Sequence, residues 1–177
     1  MKTLLVTTFA SFLAVLVSCA AETGAMIEAL EPFRPFLGKT WRGQFKSSKP
    51  DKPMFDIARW ERALNGKAVR VLHSVNDGSY GGESIIRWDT ESKQLVYHYY
   101  TTAGFMTSGT MSVTNGRIVA LEKVIGSANE VTEVRSTTEL LSDGTMLSKA
   151  EYLKDGHPTG EREVRYTEDA KAEVKFK

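Results

Sequence analysis

Several residue types that carry common chemistry are scarce in this sequence. Its 177 residues contain a single cysteine, Cys19, and three histidines that lie far apart, at positions 73, 98 and 157. A lone cysteine excludes an intramolecular disulfide, and the wide spacing of the histidines matches no pattern of metal ligands. We therefore expect no disulfide and no metal site.

An excess of charge of one sign is also missing. The formal net charge is +1, so the sequence does not indicate nucleic acid as a partner. A glycine-rich phosphate loop is absent too, because the glycines of residues 77–84 join two predicted strands and open no helix. Apolar residues make up 41% of the chain and charged residues 25%, as expected for one globular domain.

Long hydrophobic runs are confined to residues 4–17, which follow the single basic residue Lys2. This run is short for a transmembrane helix and has the length of the apolar region of a signal peptide. The residues directly before Cys19, "LVS", resemble a bacterial lipobox. That resemblance implies cleavage before Cys19 and attachment of diacylglycerol to its thiol.

The alternative is ordinary signal cleavage after Ala20, because Ser18 and Ala20 also fit a small-x-small site. With lipidation, the membrane would be a partner through an N-terminal lipid anchor, and the protein would be exported to a bacterial cell envelope. The predicted organisation is a lipoprotein signal peptide at 1–18, a tether with a short helix at 19–35, and a β-barrel domain at 36–177. The helix is predicted at 25–30, ended by Pro32 and Pro35.

Regular turn signals divide the rest of the chain. Asn-Gly or Asp-Gly pairs occur at 65–66, 77–78, 115–116, 143–144 and 155–156. Such pairs favour tight hairpin turns, because glycine, asparagine and aspartate tolerate a positive φ. The runs between the turns are rich in β-branched and aromatic residues. They are predicted as strands at 39–47, 54–64, 67–76, 83–89, 94–101, 104–114, 117–126, 131–141, 145–154 and 160–168.

The predicted fold is all-β, a ten-stranded antiparallel up-and-down barrel with its first and last strands paired. Closure removes the exposed sheet edges that an open meander would leave. A two-sheet sandwich is the alternative, but sandwiches need longer crossover connections than these turns allow.

The stretch "FLGKTWRGQF" at 36–45 alternates large inward residues around a glycine: Trp41, Gly43 and Phe45 share one strand face. A short helix followed by Gly38 and Trp41 resembles the calycin-like barrels, which include lipocalins and nitrobindin-like proteins. The segments "RWERALNGKAV", "YGGESIIRWD" and "EVRYTED" resemble a bacterial family of such domains with no assigned function. The spacing departs slightly, since two residues separate Gly38 from Trp41 where lipocalins have one.

This resemblance implies that Trp41 plugs the closed end of the barrel under the short helix. Members often place a basic residue near that tryptophan, at the end of the last strand, but Tyr166-Thr167-Glu168 occupies that end here. We therefore expect Trp41 to pack against Tyr166 and Val164 without an arginine. Nitrobindin-like proteins hold haem through a C-terminal histidine, and no histidine follows His157, so no haem or other cofactor is expected.

Strand parity indicates which side chains face the barrel interior. It places His73 between two valines, with Trp88 also facing inward on the neighbouring strand. Both faces of the second strand carry a charged residue, so at least one charge faces the interior in either orientation of that strand. A hydrated cavity would accept that charge. The predicted ligand-binding residues are Trp60, His73, Trp88 and Tyr99, with Arg59 or Arg62 reaching the same cavity. The alternatives are a core filled by these aromatic rings and a His73 that is simply buried and hydrogen-bonded.

The leading interpretation is an envelope-tethered lipoprotein that binds a small amphipathic or hydrophobic molecule in its barrel. A lyase or isomerase is the first alternative, with Arg59 and Glu61, or Arg62, acting beside Tyr99. No catalytic residue is assigned. A protein-interaction module of the envelope is the second alternative, for which an exposed apolar patch would be the mark.

Overall fold

The computed structural model describes residues 24–126 and 128–177. The predicted signal peptide at 1–18 and the predicted lipidation site at Cys19 lie outside the described residues. Within them, a 3₁₀ helix spans Glu28–Phe36, and two short 3₁₀ turns span Leu64–Gly66 and Asn76–Gly78. The strands are β1 Lys39–Phe45, β2 Phe55–Ala63, β3 Ala68–Val75, β4 Tyr80–Asp89, β5 Gln94–Thr101, β6 Met106–Thr114, β7 Arg117–Ile125, β8 Glu133–Leu140, β9 Met146–Lys154 and β10 His157–Glu168.

Each strand pairs antiparallel with the next, and β1 also pairs with β10, so the ten strands form one closed barrel. The closing register places Gly43 opposite Tyr166 and Phe45 opposite Val164. The predicted up-and-down barrel is therefore confirmed, and the two-sheet sandwich is excluded.

The tight turns follow from their residue types. Asn115 and Gly116 connect β6 to β7 with φ values of 51° and 74°, and Asp155 and Gly156 connect β9 to β10 with 49° and 81°. Two successive positive φ angles match the right-handed twist of the flanking strands, which is why such hairpins select these residues.

The N-terminal helix differs from the predicted one. It is longer than residues 25–30, has 3₁₀ geometry and contains both Pro32 and Pro35. Its buried residues are Leu30, Phe33 and Phe36, which recur at every third position. A 3₁₀ helix has three residues per turn, so it places these three side chains on the core face and leaves the two prolines exposed.

This helix closes one end of the barrel. The Phe36 ring stacks on Trp60 with a centroid distance of 5.1 Å, and the Trp41 indole Nε1 donates to the Phe36 carbonyl at 3.5 Å. Trp41 is buried in the same core cluster as Val164 and Tyr166. The cation over its ring is Lys39, 5.4 Å from the centroid. Trp41 therefore lies in the core of the barrel beside the 3₁₀ helix.

Candidate ligand-binding cavity

The barrel contains a cavity of about 550 Å³ that is partly open to solvent. This volume lies in the range of small-molecule sites, about 300–1,000 Å³. The wall contains apolar side chains from many strands and a smaller number of polar ones. Its apolar members include Trp60, Val71, Ile86, Phe105, Met111 and Ile118, and its polar members include Asp56, His73, Tyr80, Tyr97, Tyr99, Glu122, Tyr152, Arg162 and Tyr166. The interior is thus hollow, so side chains alone do not fill this core.

Three of the six side chains predicted to bind a ligand line this cavity. They are Trp60 from β2, His73 from β3 and Tyr99 from β5. Trp88 shares the inward parity of Ile86 but lies at the end of β4, where it packs against the core cluster outside the cavity wall. Ligand binding by these residues stays a prediction.

The two predicted arginines of β2 lie elsewhere. Arg59 points outward, where it donates to Glu61 at 2.7 Å and to the Thr40 hydroxyl at 3.2 Å. Arg62 donates to the Ala25 carbonyl at 2.8 Å, beside the segment that leads into the N-terminal helix. The arginine of the cavity wall comes instead from the last strand.

A chain of hydrogen bonds connects five polar side chains along one part of the wall. His73 Nδ1 lies 2.9 Å from Asp56 Oδ1, and the Tyr166 hydroxyl donates to Asp56 Oδ2 at 2.6 Å. His73 Nε2 lies 2.6 Å from the Tyr99 hydroxyl, which is hydrogen-bonded to Tyr80 at 2.9 Å. Both oxygens of the buried Asp56 are therefore satisfied, which is what a carboxylate inside a protein requires.

Arg162 projects from β10 into this polar region. Its Nε atom is buried and has no hydrogen-bond partner among the described residues. Burial works against its positive charge, but the nearby Tyr166, Tyr152 and Asp56 outweigh that effect and raise the pKa of the guanidinium. A positive charge inside the barrel without a direct ion pair in the described chain is suited to an anionic group of a ligand.

A second polar position lies on β5, β6 and β7. The Thr107 hydroxyl donates to Glu122, and burial raises the pKa of the Glu122 carboxyl despite that bond and the charge of Arg162. The Tyr97 hydroxyl faces the same carboxyl without hydrogen-bonding geometry. Burial raises the pKa of Tyr97 and of Tyr99, so both phenols stay protonated at neutral pH. Glu122 is held toward its neutral, hydrogen-bond-donating form.

Three acidic or basic residues of the wall were not among the predicted site residues: Asp56, Glu122 and Arg162. Asp56 has the parity of Ala58 and Trp60, and Arg162 has the parity of Val164 and Tyr166, so alternation alone could have placed both inside. Glu122 shares the parity of Ile118 and Ala120 on β7. Inward parity was the available signal in each case, because a closed barrel has one interior face.

The described residues contain no group of three or more His, Cys, Asp or Glu side chains that could hold a metal ion. Both ring nitrogens of His73 are already within hydrogen-bonding distance of protein partners. Among the same residues, no helix is both long and apolar enough to cross a membrane.

The crystal structure of Rv2717c from M. tuberculosis is similar to this chain, with a TM-score of 0.58 and 14% sequence identity. The superposition covers 82% of this chain and 99% of the other. At this identity the similarity establishes a shared barrel fold alone. No family model matches the chain. No curated protein matches it either.

Proposed function

We propose that this protein binds a small amphipathic acid inside its barrel, with the acidic group on Arg162 and the apolar part against the aromatic and aliphatic wall. The observation that carries the proposal is the Arg162 guanidinium, which faces the cavity with a buried Nε atom that has no partner among the described residues.

A charge inside a barrel is costly unless it is paired. Asp56 lowers that cost for Arg162 through its negative charge, but its two oxygens are already engaged by His73 and Tyr166. A ligand carboxylate would supply the direct partner and could accept two parallel hydrogen bonds from the guanidinium. Binding would therefore remove a penalty that the empty protein carries.

The rest of the wall suits an apolar chain. Trp60 and Met111 come from strands on different sides of the lumen, and Phe105 contributes from the loop between β5 and β6. An aliphatic or isoprenoid chain placed between them would bury its surface, which contributes roughly 25 cal/mol per Å² of apolar area. Apolar contact would supply affinity, and the arginine would fix the orientation.

The proposal also includes the cellular location of the protein and the type of its barrel. The lipobox before Cys19 supports an envelope lipoprotein that is tethered by its N-terminus. The short helix, Trp41 and the closed end support a calycin-like barrel of the lipocalin and nitrobindin-like type.

Thermal unfolding with a matched pair of probes tests the proposal. Dodecanoic acid should raise the Tm of the wild-type protein, whereas dodecanol, which has the same chain length and no charge, should raise it much less. Arg162→Gln should remove the difference between the two probes. Arg165→Gln is the matched control, because Arg165 lies on the same strand but points outward to Thr145. Equal responses of wild type and Arg162→Gln to dodecanoic acid would contradict the proposal.

A lyase or isomerase is a second candidate function, favoured by one observation. Glu122 is a buried carboxyl with a raised pKa beside the cavity, as general acids and bases often are. An enzyme that removes a proton from carbon would exchange that hydrogen with solvent. Incubation of unsaturated and oxo acids in D₂O should then give deuterium incorporation that Glu122→Gln abolishes, and an absence of incorporation into any of them would count against catalysis.

A further inference from the structure

We infer that the ligand carries, besides its acidic group, a second polar group, a hydroxyl or a ketone, that is bound by Tyr97 and Glu122. This inference rests on the proposed function and narrows its ligand to hydroxy or oxo carboxylic acids.

The first observation concerns buried polar atoms that lack a partner. Among the described residues there are two of them on side chains, Arg162 Nε and the Tyr97 hydroxyl oxygen. Both residues line the same cavity, and Tyr97 is only 5% exposed. A buried hydroxyl without a hydrogen-bond partner destabilises the folded protein, so its presence in a native structure indicates a functional role such as ligand binding. Two such atoms, on side chains that line one cavity, point to a ligand with two polar groups.

The second observation is the position of Glu122 relative to Tyr97. Gly109 on β6 pairs with Tyr97 on β5 and with Glu122 on β7, so the three residues stand side by side across the sheet. Glycine has no side chain to separate the tyrosine from the carboxyl. The phenol and the carboxyl therefore form one polar position on the wall.

The third observation is the separation of this position from Arg162. In the barrel order, β9 and β8 lie between β10, which carries Arg162, and β7, which carries Glu122, and Tyr97 lies two strands farther along, on β5. A chain that holds an acidic group at one end and a neutral polar group farther along could reach both.

The chemistry of the second position selects a neutral group. The Tyr97 phenol can donate a hydrogen bond and its oxygen can accept one, and the Glu122 carboxyl can accept one from a ligand hydroxyl. A hydroxyl of the ligand suits both side chains, and a ketone oxygen can accept from the phenol. A second carboxylate would lie beside the Glu122 carboxyl and repel its ionised form, so dicarboxylic acids fit poorly.

Isothermal titration calorimetry with two series of acids tests this inference. One series is the straight-chain acids from octanoic to dodecanoic acid, and the other is the ω-hydroxy acids of the same lengths. Because several lengths are included, one hydroxy acid should place its hydroxyl at Tyr97. At that length, the hydroxy acid should bind wild type about tenfold more tightly than the plain acid, since one added hydrogen bond corresponds to about that factor.

Tyr97→Phe removes only the hydroxyl and should abolish the preference for the hydroxy acid, while the plain acid binds as in wild type. Unchanged binding of the plain acid would also show that the variant is folded. Tyr100→Phe is the control, since Tyr100 is 53% exposed on the outer surface. It should leave the preference unchanged.

The outcomes separate the inference from the proposed function. If both acids bind through Arg162 but equally well at every length, or if Tyr97→Phe keeps the preference, the second polar group is refuted and the acid-binding function stands. If Arg162→Gln leaves the affinity of both series unchanged, or if no acid of either series binds wild type, both are refuted.

Discussion

Asp56 and Tyr166 are separated by 110 residues in sequence and meet inside the barrel, where the Tyr166 hydroxyl donates to Asp56 Oδ2 at 2.6 Å. This bond links β2 to the last strand across β1, which lies between them. It also orders the polar wall of the cavity, because the other oxygen of Asp56 lies against His73.

We therefore predict that Tyr166→Phe lowers the free energy of unfolding by about 1–3 kcal/mol, since one oxygen of a buried carboxylate would lose its donor. Urea unfolding at neutral pH measures the loss. Tyr100→Phe is a suitable control, because its exposed side chain should change the value by less than about 0.5 kcal/mol. A loss for Tyr166→Phe no larger than that of the control would show that the buried bond contributes little.

We predict that any side chain at Gly43 disturbs the packing of Tyr166. A Cβ atom at Gly43 would lie 2.4 Å from the Tyr166 ring and 2.5 Å from Val164. Gly43→Ala should therefore displace Tyr166 and cost about 1–3 kcal/mol of stability, as overpacking of a core does. Gly160→Ala on β10 is the matched control, because its nearest contact would be an ordinary 3.6 Å. Equal stability of the two variants in thermal unfolding would contradict this packing.

Much of the fold could be predicted from the sequence because its signals are local. Asn-Gly and Asp-Gly pairs mark the hairpins, and alternation of side chains marks the strands between them. The N-terminal helix was mispredicted because Pro32 and Pro35 indicate a helix end, whereas burial of Phe33 and Phe36 favours a 3₁₀ helix through both prolines. That preference comes from packing on Trp60, which is a tertiary contact.

The candidate site was harder to predict. Parity placed His73 inside, and with Trp60 facing the lumen it also places Arg59 outside. It could not show that Arg62, which shares the parity of Trp60, donates to the Ala25 carbonyl, or that Trp88 lies outside the cavity wall. The wall arginine was overlooked for a different reason. Arg162 shares the inward parity of Val164 and Tyr166, but it lies away from the strand end at which the resemblance implies a basic residue.

Stability should depend on pH through Glu122. Burial raises the folded-state pKa of the Glu122 carboxyl, so folding favours its protonated form. The wild-type protein therefore loses stability as pH rises above about 4.5, the pKa of an exposed glutamate. Glu122→Gln removes this titration. The unfolding free energy of Glu122→Gln relative to wild type should therefore increase as pH rises above that value, up to the folded-state pKa.

Glu61→Gln provides a control of opposite sign. Burial tends to raise the pKa of Glu61, but hydrogen bonds from Arg59 and Arg70 outweigh it, so its pKa is lowered. The stabilisation by Glu61 is present above about pH 4.5 and is lost as pH falls through the lowered pKa. Urea titrations from acid to neutral pH should show the two differences moving in opposite directions. A flat Glu122→Gln difference would mean that this carboxyl is not shifted.

We predict that the mature protein begins at an acylated Cys19. Mass spectrometry of protein extracted from its native membrane should show the mass of the lipid on the N-terminal peptide. The Cys19→Ala variant, which lacks the lipidated thiol, should no longer be found in the membrane fraction. An unmodified N-terminus at Ala21 would instead show ordinary signal cleavage.

In the proposed function, Arg162 is the residue that orients the ligand. A crystal structure of the wild-type protein with dodecanoic acid tests this directly. Density is expected for the carboxylate within hydrogen-bonding distance of the Arg162 guanidinium and for the chain between Trp60 and Met111. Density for the acid on the outer surface, or in the lumen with its carboxylate away from Arg162, would contradict it.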